Sequence, residues 1–146
     1  MAPTGPSSQP APRDGGRLAT LSEDECWTLL AQQTVSRIAW TGPEGPVVVP
    51  VNHGITDRTL WIRTTAYAAL AREADDSRVA VECDRFDDAG HTGWSVLVKG
   101  TAHLWYTGDD GTPPPVEPWP AGPRPLWVLV RPREVTGRRL VVPAPG

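Results

Sequence analysis

Glycine and proline divide this sequence into segments too short for a long helix or a membrane span. Of its 146 residues, 17 are proline and 14 are glycine. Between these breaks, apolar residues alternate with polar ones or form short runs, which is typical of β-strands. Such runs occupy residues 35–40, 46–52, 59–64, 78–83, 93–106, 126–131 and 135–142. Six or seven short antiparallel strands predict a mainly β fold, a small barrel with flanking helices.

Two segments have the composition of helices. Ser22 and Glu25 are spaced as a capping box and predict a helix that runs to about Gln33. Residues 67–74, rich in alanine, predict a second helix. Gly100 lies in the middle of the longest strand candidate and predicts a bulge or bend there.

The chain has the organisation of one domain with a leader. Residues 1–17 contain four prolines and almost nothing to bury, so we expect a disordered leader. Residues 18–146 have the size of a single domain. Within it, residues 107–125 carry seven prolines and are expected to form an irregular crossing over the surface.

Charge and hydropathy exclude several partners. The formal net charge is -3 and there is no basic run, which argues against a nucleic-acid partner. No stretch approaches the roughly 20 apolar residues of a membrane span, so we expect no membrane partner and a cytoplasmic location. Cys26 and Cys83 are expected to be buried free thiols of a reducing compartment.

The sequence offers no catalytic residue of its own. His53, His91 and His103 lie far apart and lack a cysteine or carboxylate at ligand spacing, so no metal site is predicted. A Walker loop, a dinucleotide fingerprint and a nucleophile elbow are also absent from the sequence. An enzyme of this kind would depend on a cofactor for its chemistry.

Arg63, Thr64 and Thr65 lie where a predicted strand leads into the second predicted helix. Arginine matches phosphate with a two-pronged hydrogen-bonding fork, and helix N-termini favour anions. These residues therefore form a candidate phosphate site. The alternative is that Arg63 is an exposed strand residue and the threonines only cap the helix.

Two further stretches are candidates for contact with a ring-shaped ligand. Trp94 and Ser95 begin a strand, where a flat aromatic ligand could reach them, although Trp94 could equally be a core residue. Pro50 requires a strand edge, a bulge or a strand that leaves its neighbour. The adjacent Asn52 and His53 could meet the polar edge of a ring, and a simple barrel corner would explain the same pattern.

Together these stretches resemble the flavin-binding split β-barrel proteins of the pyridoxamine 5′-phosphate oxidase-like family, particularly its short bacterial members. The similar runs cover nearly everything after residue 20: residues 21–30, 47–53 (VVVPVNH), 60–64 (LWIRT), 86–87, 93–102 (GWSVLVKGTA), 118–122 (PWPAG) and 135–139 (VTGRR). The resemblance implies a six-stranded antiparallel split barrel. It also implies a homodimer with two FMN sites in the cleft between its subunits.

The resemblance further implies which residues contact the cofactor. They form three groups: Val49, Pro50, Val51 and Asn52 along the isoalloxazine ring, Arg63 and Thr64 at the phosphate, and Trp94 and Ser95 across the dimer interface. Relatives often carry a lysine a few residues after the threonine as a second phosphate cation. Here the first basic residue after Thr64 is Arg72.

The counts of lysine and tryptophan refine these expectations. The only lysine is Lys99, on a predicted strand, so phosphate binding would have to depend on arginine and hydroxyl groups. Of the seven tryptophans, Trp94 and Trp61 are candidates for the site. Four others are expected in the core or on a dimer surface: Trp27, Trp40, Trp105 and Trp127.

The function implied by the resemblance is that of an FMN-binding oxidoreductase, which transfers electrons between a reduced donor and a small-molecule acceptor. One alternative is a protein that binds or carries flavin, deazaflavin or haem without turnover. A second alternative is a cofactor-free barrel that serves as a dimeric interaction module.

Overall fold

A computed structural model describes residues 16–65, 68–106, 109, 111–119, 122, 124 and 126–142. The predicted leader lies outside these residues, apart from its last two. The strands are β1 (Arg17–Leu21), β2 (Val35–Gly42), β3 (Gly45–Thr56), β4 (Thr59–Thr64), β5 (Ser77–Asp87), β6 (Thr92–Trp105) and β7 (Leu126–Val141). The helices are α1 (Glu23–Ala31) and α2 (Ala69–Ala74).

The strands form one antiparallel sheet that closes on itself. Its order is β1-β7-β4-β3-β2-β5-β6, and β6 also pairs with β7. Six strands therefore form a ring, which confirms the predicted six-stranded barrel. β1 is a seventh strand outside the ring, paired with residues 137–141 of β7. It was not predicted, because only Leu21 of its five residues is buried. The strand therefore has no alternation of buried and exposed positions.

The last strand is continuous, whereas two strands separated by Pro132 were predicted. Opposite it, Lys99 pairs with Glu134 and Gly100 pairs with Pro132, so Arg133 is an extra residue in a bulge. A bulge is one of the few places where a strand tolerates proline. A Cβ on Gly100 would lie 2.2 Å from the carbonyl oxygen of Arg131, which explains the glycine there. The predicted bulge at Gly100 is confirmed.

Helix α1 begins at the predicted capping box. The backbone N–H of Glu25 donates to Ser22 Oγ at 3.1 Å, and the backbone N–H of Ser22 donates to Glu25 Oε1 at 3.1 Å. The helix packs on β7, β3 and β6 and buries Cys26, Trp27 and Leu30. Helix α2 is shorter than predicted, since it begins at Ala69, and Tyr67 lies outside the described residues.

The barrel interior is filled by aliphatic side chains at alternate strand positions. Those with almost no exposure are Ile38, Leu60, Ile62, Val81, Val96, Val98, Val128 and Val130. Both cysteines are free and buried, as expected. No helix of the described part of the chain is long and apolar enough to cross a membrane.

A second apolar cluster covers the other face of β4, β6 and β7. It consists of Trp61, Trp105, Trp127 and Leu129, with Val116 of the proline-rich crossing packed against it. The tryptophan rings meet edge to face, with centroids 5.5 and 5.8 Å apart. Trp61 is therefore a packing residue, and strand β4 is buried on both faces.

Candidate functional site

A cleft of about 320 Å³ opens where β3 and β4 separate. The two strands pair only from His53 and Ile62 to the turn at Asp57 and Arg58. Before His53, β3 pairs with β2, while the end of β4 pairs with β7. Pro50 thus lies in a strand that has left one neighbour, which is one of the arrangements predicted for it.

The cleft brings together six of the eight predicted cofactor residues. Its lining residues come from β2, β3, β4, α2 and the crossing: Trp40, Val49, Pro50, Val51, Asn52, Arg63, Thr64, Ala68, Ala69, Leu70, Pro118 and Arg124. Segments spread over residues 40–124 of the sequence therefore share one cavity, as expected for a binding site.

Arg63 is partly buried and oriented by three contacts. Its Nη1 donates to the carbonyl of Val116 and its Nη2 to the carbonyl of Arg124, both at 3.1 Å. The guanidinium carbon lies 5.2 Å from the ring centroid of Trp127, its cross-strand partner. Arg63 is not an exposed strand residue, because it joins the crossing to the end of β4.

Asn52 also holds the crossing in place. Its buried side chain accepts a hydrogen bond from the backbone N–H of Trp119 at 2.9 Å and donates one to the carbonyl of Thr34 at 3.3 Å. Trp119 itself is exposed. Both polar atoms of Asn52 already have protein partners, so its contact with a ligand would add to these bonds.

Thr64 is buried in the cleft and Thr65 is half-buried. Neither threonine caps α2, whose N-cap is Ala68 and has no side-chain hydrogen bond. The alternative that the threonines only cap the helix is therefore wrong. Their hydroxyls remain candidates for an anion that lies beside Arg63.

Several residues that line the cleft also carry a buried nitrogen without a hydrogen-bond partner. Within the described part of the chain, five buried side-chain nitrogens have no hydrogen-bond partner. Three of them belong to residues that line the cleft: Trp40 Nε1, Arg63 Nε and Arg124 Nε. Buried polar groups are nearly always satisfied.

Trp40 and Arg124 were not predicted as site residues. Trp40 was expected only in the core or on a dimer surface, and nothing in the sequence marks it as a site residue. Arg124 had a usable signal, since it is the only basic residue among residues 107–125. It lies two residues beyond the PWPAG run that supported the family resemblance.

Trp94 and Ser95 do not line this cleft. Trp94 is 7% exposed and faces inward, in the main apolar core. Ser95 lies on the opposite face of β6, at the alternate strand position. These two residues were expected to reach the cofactor from the partner subunit, so their separation from the cleft within one chain leaves that prediction untested.

His53 faces the core rather than the cleft. It is 2% exposed, with Nε2 3.0 Å from the carbonyl of Leu30 and Nδ1 2.9 Å from Ser36 Oγ. Because a carbonyl can only accept, Nε2 carries the proton and Nδ1 accepts from the hydroxyl of Ser36. Burial lowers the pKa of His53, which keeps the ring neutral.

Other clusters of ionisable groups lie away from the cleft. On β2 and β5, Arg37 lies 3.6 Å from Glu82 and 3.7 Å from Asp84. Burial, with the neighbouring carboxyl group of Asp84, raises the pKa of Glu82 to about 7. The fold also brings His103 to Asp75 and Asp76, with His103 Nδ1 2.8 Å from Asp76. Spacing alone did not reveal this surface cluster.

Comparisons with known proteins agree with this geometry. Over 101 residues the chain is 36% identical to the uncharacterized protein Rv0080 of Mycobacterium tuberculosis, a match that covers 66% of each chain, just under two thirds. It superposes on a FAD binding protein from Mycobacterium smegmatis with a TM-score of 0.68 and 31% identity, covering 85% of this chain and 99% of that one. A FAD-binding protein from Mesorhizobium loti shares the fold with a TM-score of 0.64 and 21% identity, over 86% and 98% of the two chains.

The family model for pyridoxamine 5′-phosphate oxidase matches residues 22–139. That match begins at the N-cap of α1 and ends within β7, so it contains the whole cleft and the barrel strands apart from the last two residues of β7. This chain belongs to the pyridoxamine 5′-phosphate oxidase-like family.

Proposed function

We propose that the cleft binds FMN and that the protein is an FMN-dependent oxidoreductase, which passes electrons from a reduced donor to a small-molecule acceptor. The observation that carries this proposal is the single cleft that brings Asn52, Arg63 and Thr64 together with the apolar segment 49–51. FMN presents phosphate oxygens at one end and ring carbonyls and nitrogens at the other. The 31% identical protein from Mycobacterium smegmatis, which is named for FAD binding, supports a flavin as the ligand.

The residues of the cleft suit the two ends of this cofactor. Arg63 and Thr64 would hold the phosphate, because a guanidinium and a hydroxyl both donate to phosphate oxygens. Val49, Pro50 and Val51 would lie along the ring, with Asn52 at its polar edge. Bound FMN would supply the electron transfer itself, while the protein would supply orientation and donors aimed at the acceptor atoms.

The described lining of the cleft contains no carboxylate, imidazole or thiol. A chain with this lining offers no general acid or base of ordinary pKa to a substrate. The chemistry would therefore depend on the cofactor. The same observation favours the second candidate function, a flavin carrier that binds the cofactor without turnover.

We also propose that the functional unit is a homodimer in which Ser95, on the outward face of β6, completes the cleft of the partner subunit, while Trp94 packs in the core of its own subunit. Exposed apolar side chains support an interface, since Leu18, Val48 and Phe86 are each more than half exposed. The free thiols of Cys26 and Cys83 suit the reducing cytoplasm, which we propose as the location.

The absorption spectrum of the purified protein tests the proposal. We expect a yellow protein that releases its flavin on denaturation, and mass spectrometry of the released cofactor separates FMN from FAD. Protein that stays colourless and ignores both added flavins would refute flavin binding.

Anaerobic addition of NADH or NADPH separates an oxidoreductase from a carrier. Bleaching of the bound flavin supports the enzyme, and an unchanged flavin spectrum with both donors supports the carrier. Arg63→Ala should weaken FMN binding more than Lys99→Ala does. Equal losses would place the phosphate elsewhere.

A further inference from the structure

The proline-rich crossing delivers a second guanidinium to the cleft. Arg124 lines the cleft together with Arg63, although 60 positions separate them in the chain. The carbonyl of Arg124 accepts from Nη2 of Arg63 at 3.1 Å, which fixes the backbone of Arg124 beside the end of β4. Two cationic side chains are therefore held at the same cavity.

The side chain of Arg124 has no partner within the part of the chain that the structure describes. No hydrogen bond or ion pair joins it to a described residue, and its Nε is buried and unpaired. Two cationic side chains at one cleft make it a favourable place for an anion, because a bound negative charge interacts with both of them.

Arg63 alone is poorly placed to satisfy a phosphate dianion. Two of its terminal nitrogens already donate to the carbonyls of Val116 and Arg124. Arginine has five N–H donors in a rigid fork, so Arg63 keeps some of them for a ligand. The edge formed by its two terminal nitrogens, however, is partly occupied by carbonyl groups of the crossing.

Two other basic residues, Arg72 and Lys99, do not supply a second cation to the cleft. Arg72 is exposed in the last turn of α2. Lys99 is exposed on β6, where its Nζ lies 4.0 Å from Glu134. Neither residue lines the cleft.

We propose that Arg124 is the second phosphate cation of the site and the residue that selects a phosphorylated flavin over riboflavin. This inference rests on the proposed flavin function and adds to it a residue carried by the crossing rather than by the helix. Arg63 then has two tasks: it contributes to phosphate binding, and it positions the crossing that carries Arg124.

Binding of FMN and riboflavin to the full-length protein tests this assignment, because the two ligands differ only in the phosphate. Titrations use the wild type, Arg124→Gln, Arg124→Lys and a matched control, Arg133→Gln, which removes an exposed arginine of β7 outside the cleft. Losing a charge-assisted hydrogen bond to phosphate should raise the Kd of Arg124→Gln for FMN about tenfold or more. Its Kd for riboflavin should stay unchanged, and Arg124→Lys should restore part of the preference for FMN.

The readout is the ratio of the two dissociation constants, which a general loss of folding does not change selectively. Arg124→Gln with the FMN preference of the wild type would overturn the role of Arg124, while flavin binding itself would stand. A wild-type protein that binds both flavins equally would show that the site does not recognise phosphate. A wild-type protein that binds neither flavin would refute the proposed function and this inference with it.

Discussion

Replacing Arg63 with alanine should loosen the crossing even when no flavin is present. The change removes two hydrogen bonds from a charged donor to main-chain carbonyls and the contact with the ring of Trp127. Buried bonds of this kind contribute about 1.5–3 kcal/mol each, and partial exposure reduces that to roughly 1 kcal/mol. The cation–π contact adds about 0.5–1 kcal/mol. The free energy of unfolding should therefore fall by about 3 kcal/mol, or roughly 6–12 °C in Tm for a domain of this size.

Thermal unfolding of the flavin-free protein measures the loss of stability, and hydrogen exchange measures the loosening of the crossing. Exchange should increase in residues 111–119, including the N–H of Trp119 that Asn52 holds. Lys99→Ala is the control, because its long contact with Glu134 is on the surface and should contribute no more than about 0.5 kcal/mol. Equal Tm values and equal exchange in the two variants would refute the idea that Arg63 fastens the crossing.

Three further predictions concern the barrel itself. Gly100→Ala places a Cβ 2.2 Å from the carbonyl oxygen of Arg131, so urea denaturation should show a loss of about 1–3 kcal/mol, and an unchanged midpoint would contradict the close approach. Because the pKa of His53 is lower in the folded state, stability should fall as the pH drops below about 6.5, and His53→Gln should remove that dependence in unfolding curves measured from pH 8 to 5. The pKa of Glu82 is raised to about 7, so its contribution is present at low pH and disappears as the pH rises from about 4.5 through 7. Glu82→Gln should therefore stabilise the protein at pH 8 relative to the wild type, and a loss of stability at pH 8 would show that Arg37 outweighs burial.

Local sequence patterns predicted most of the barrel. Strand β4 was predicted with its observed bounds, because its side chains alternate between two apolar clusters and clear turn residues precede it. The capping box of α1 was visible for the same reason, since all of its groups lie within four residues. The failures were non-local. Strand β1 exists only because β7 offers it an edge, and β7 passes through Pro132 only because Gly100 permits a bulge on the opposite strand.

The candidate site also contains residues with a local sequence signal and residues whose role depends on non-local contacts. Residues 49–52 and 63–64 carried signals in their own segments, and the structure brings them into one cleft. Trp40 carried no such signal, and Arg124 carried only its position as the single basic residue among residues 107–125, because what marks both residues is a missing partner. A missing hydrogen bond is a property of the folded protein, and composition and spacing do not reveal it. The coincidence of His103 with Asp75 and Asp76 escaped prediction in the same way.

The proline-rich crossing explains how a chain with one lysine could still bind a phosphate tightly. A cation carried on a loop selects a ligand only if the loop is held in place, since otherwise binding must order it first. Prolines restrict the unfolded crossing, and side chains of the cleft fasten the folded one through the carbonyls of Val116 and Arg124 and the N–H of Trp119. The residues that fasten it, Asn52 and Arg63, are themselves residues of the proposed site. In the proposed site, cofactor binding and the position of the crossing would therefore be coupled through the same two side chains, and a phosphate cation on the crossing would be as well placed as one on a helix.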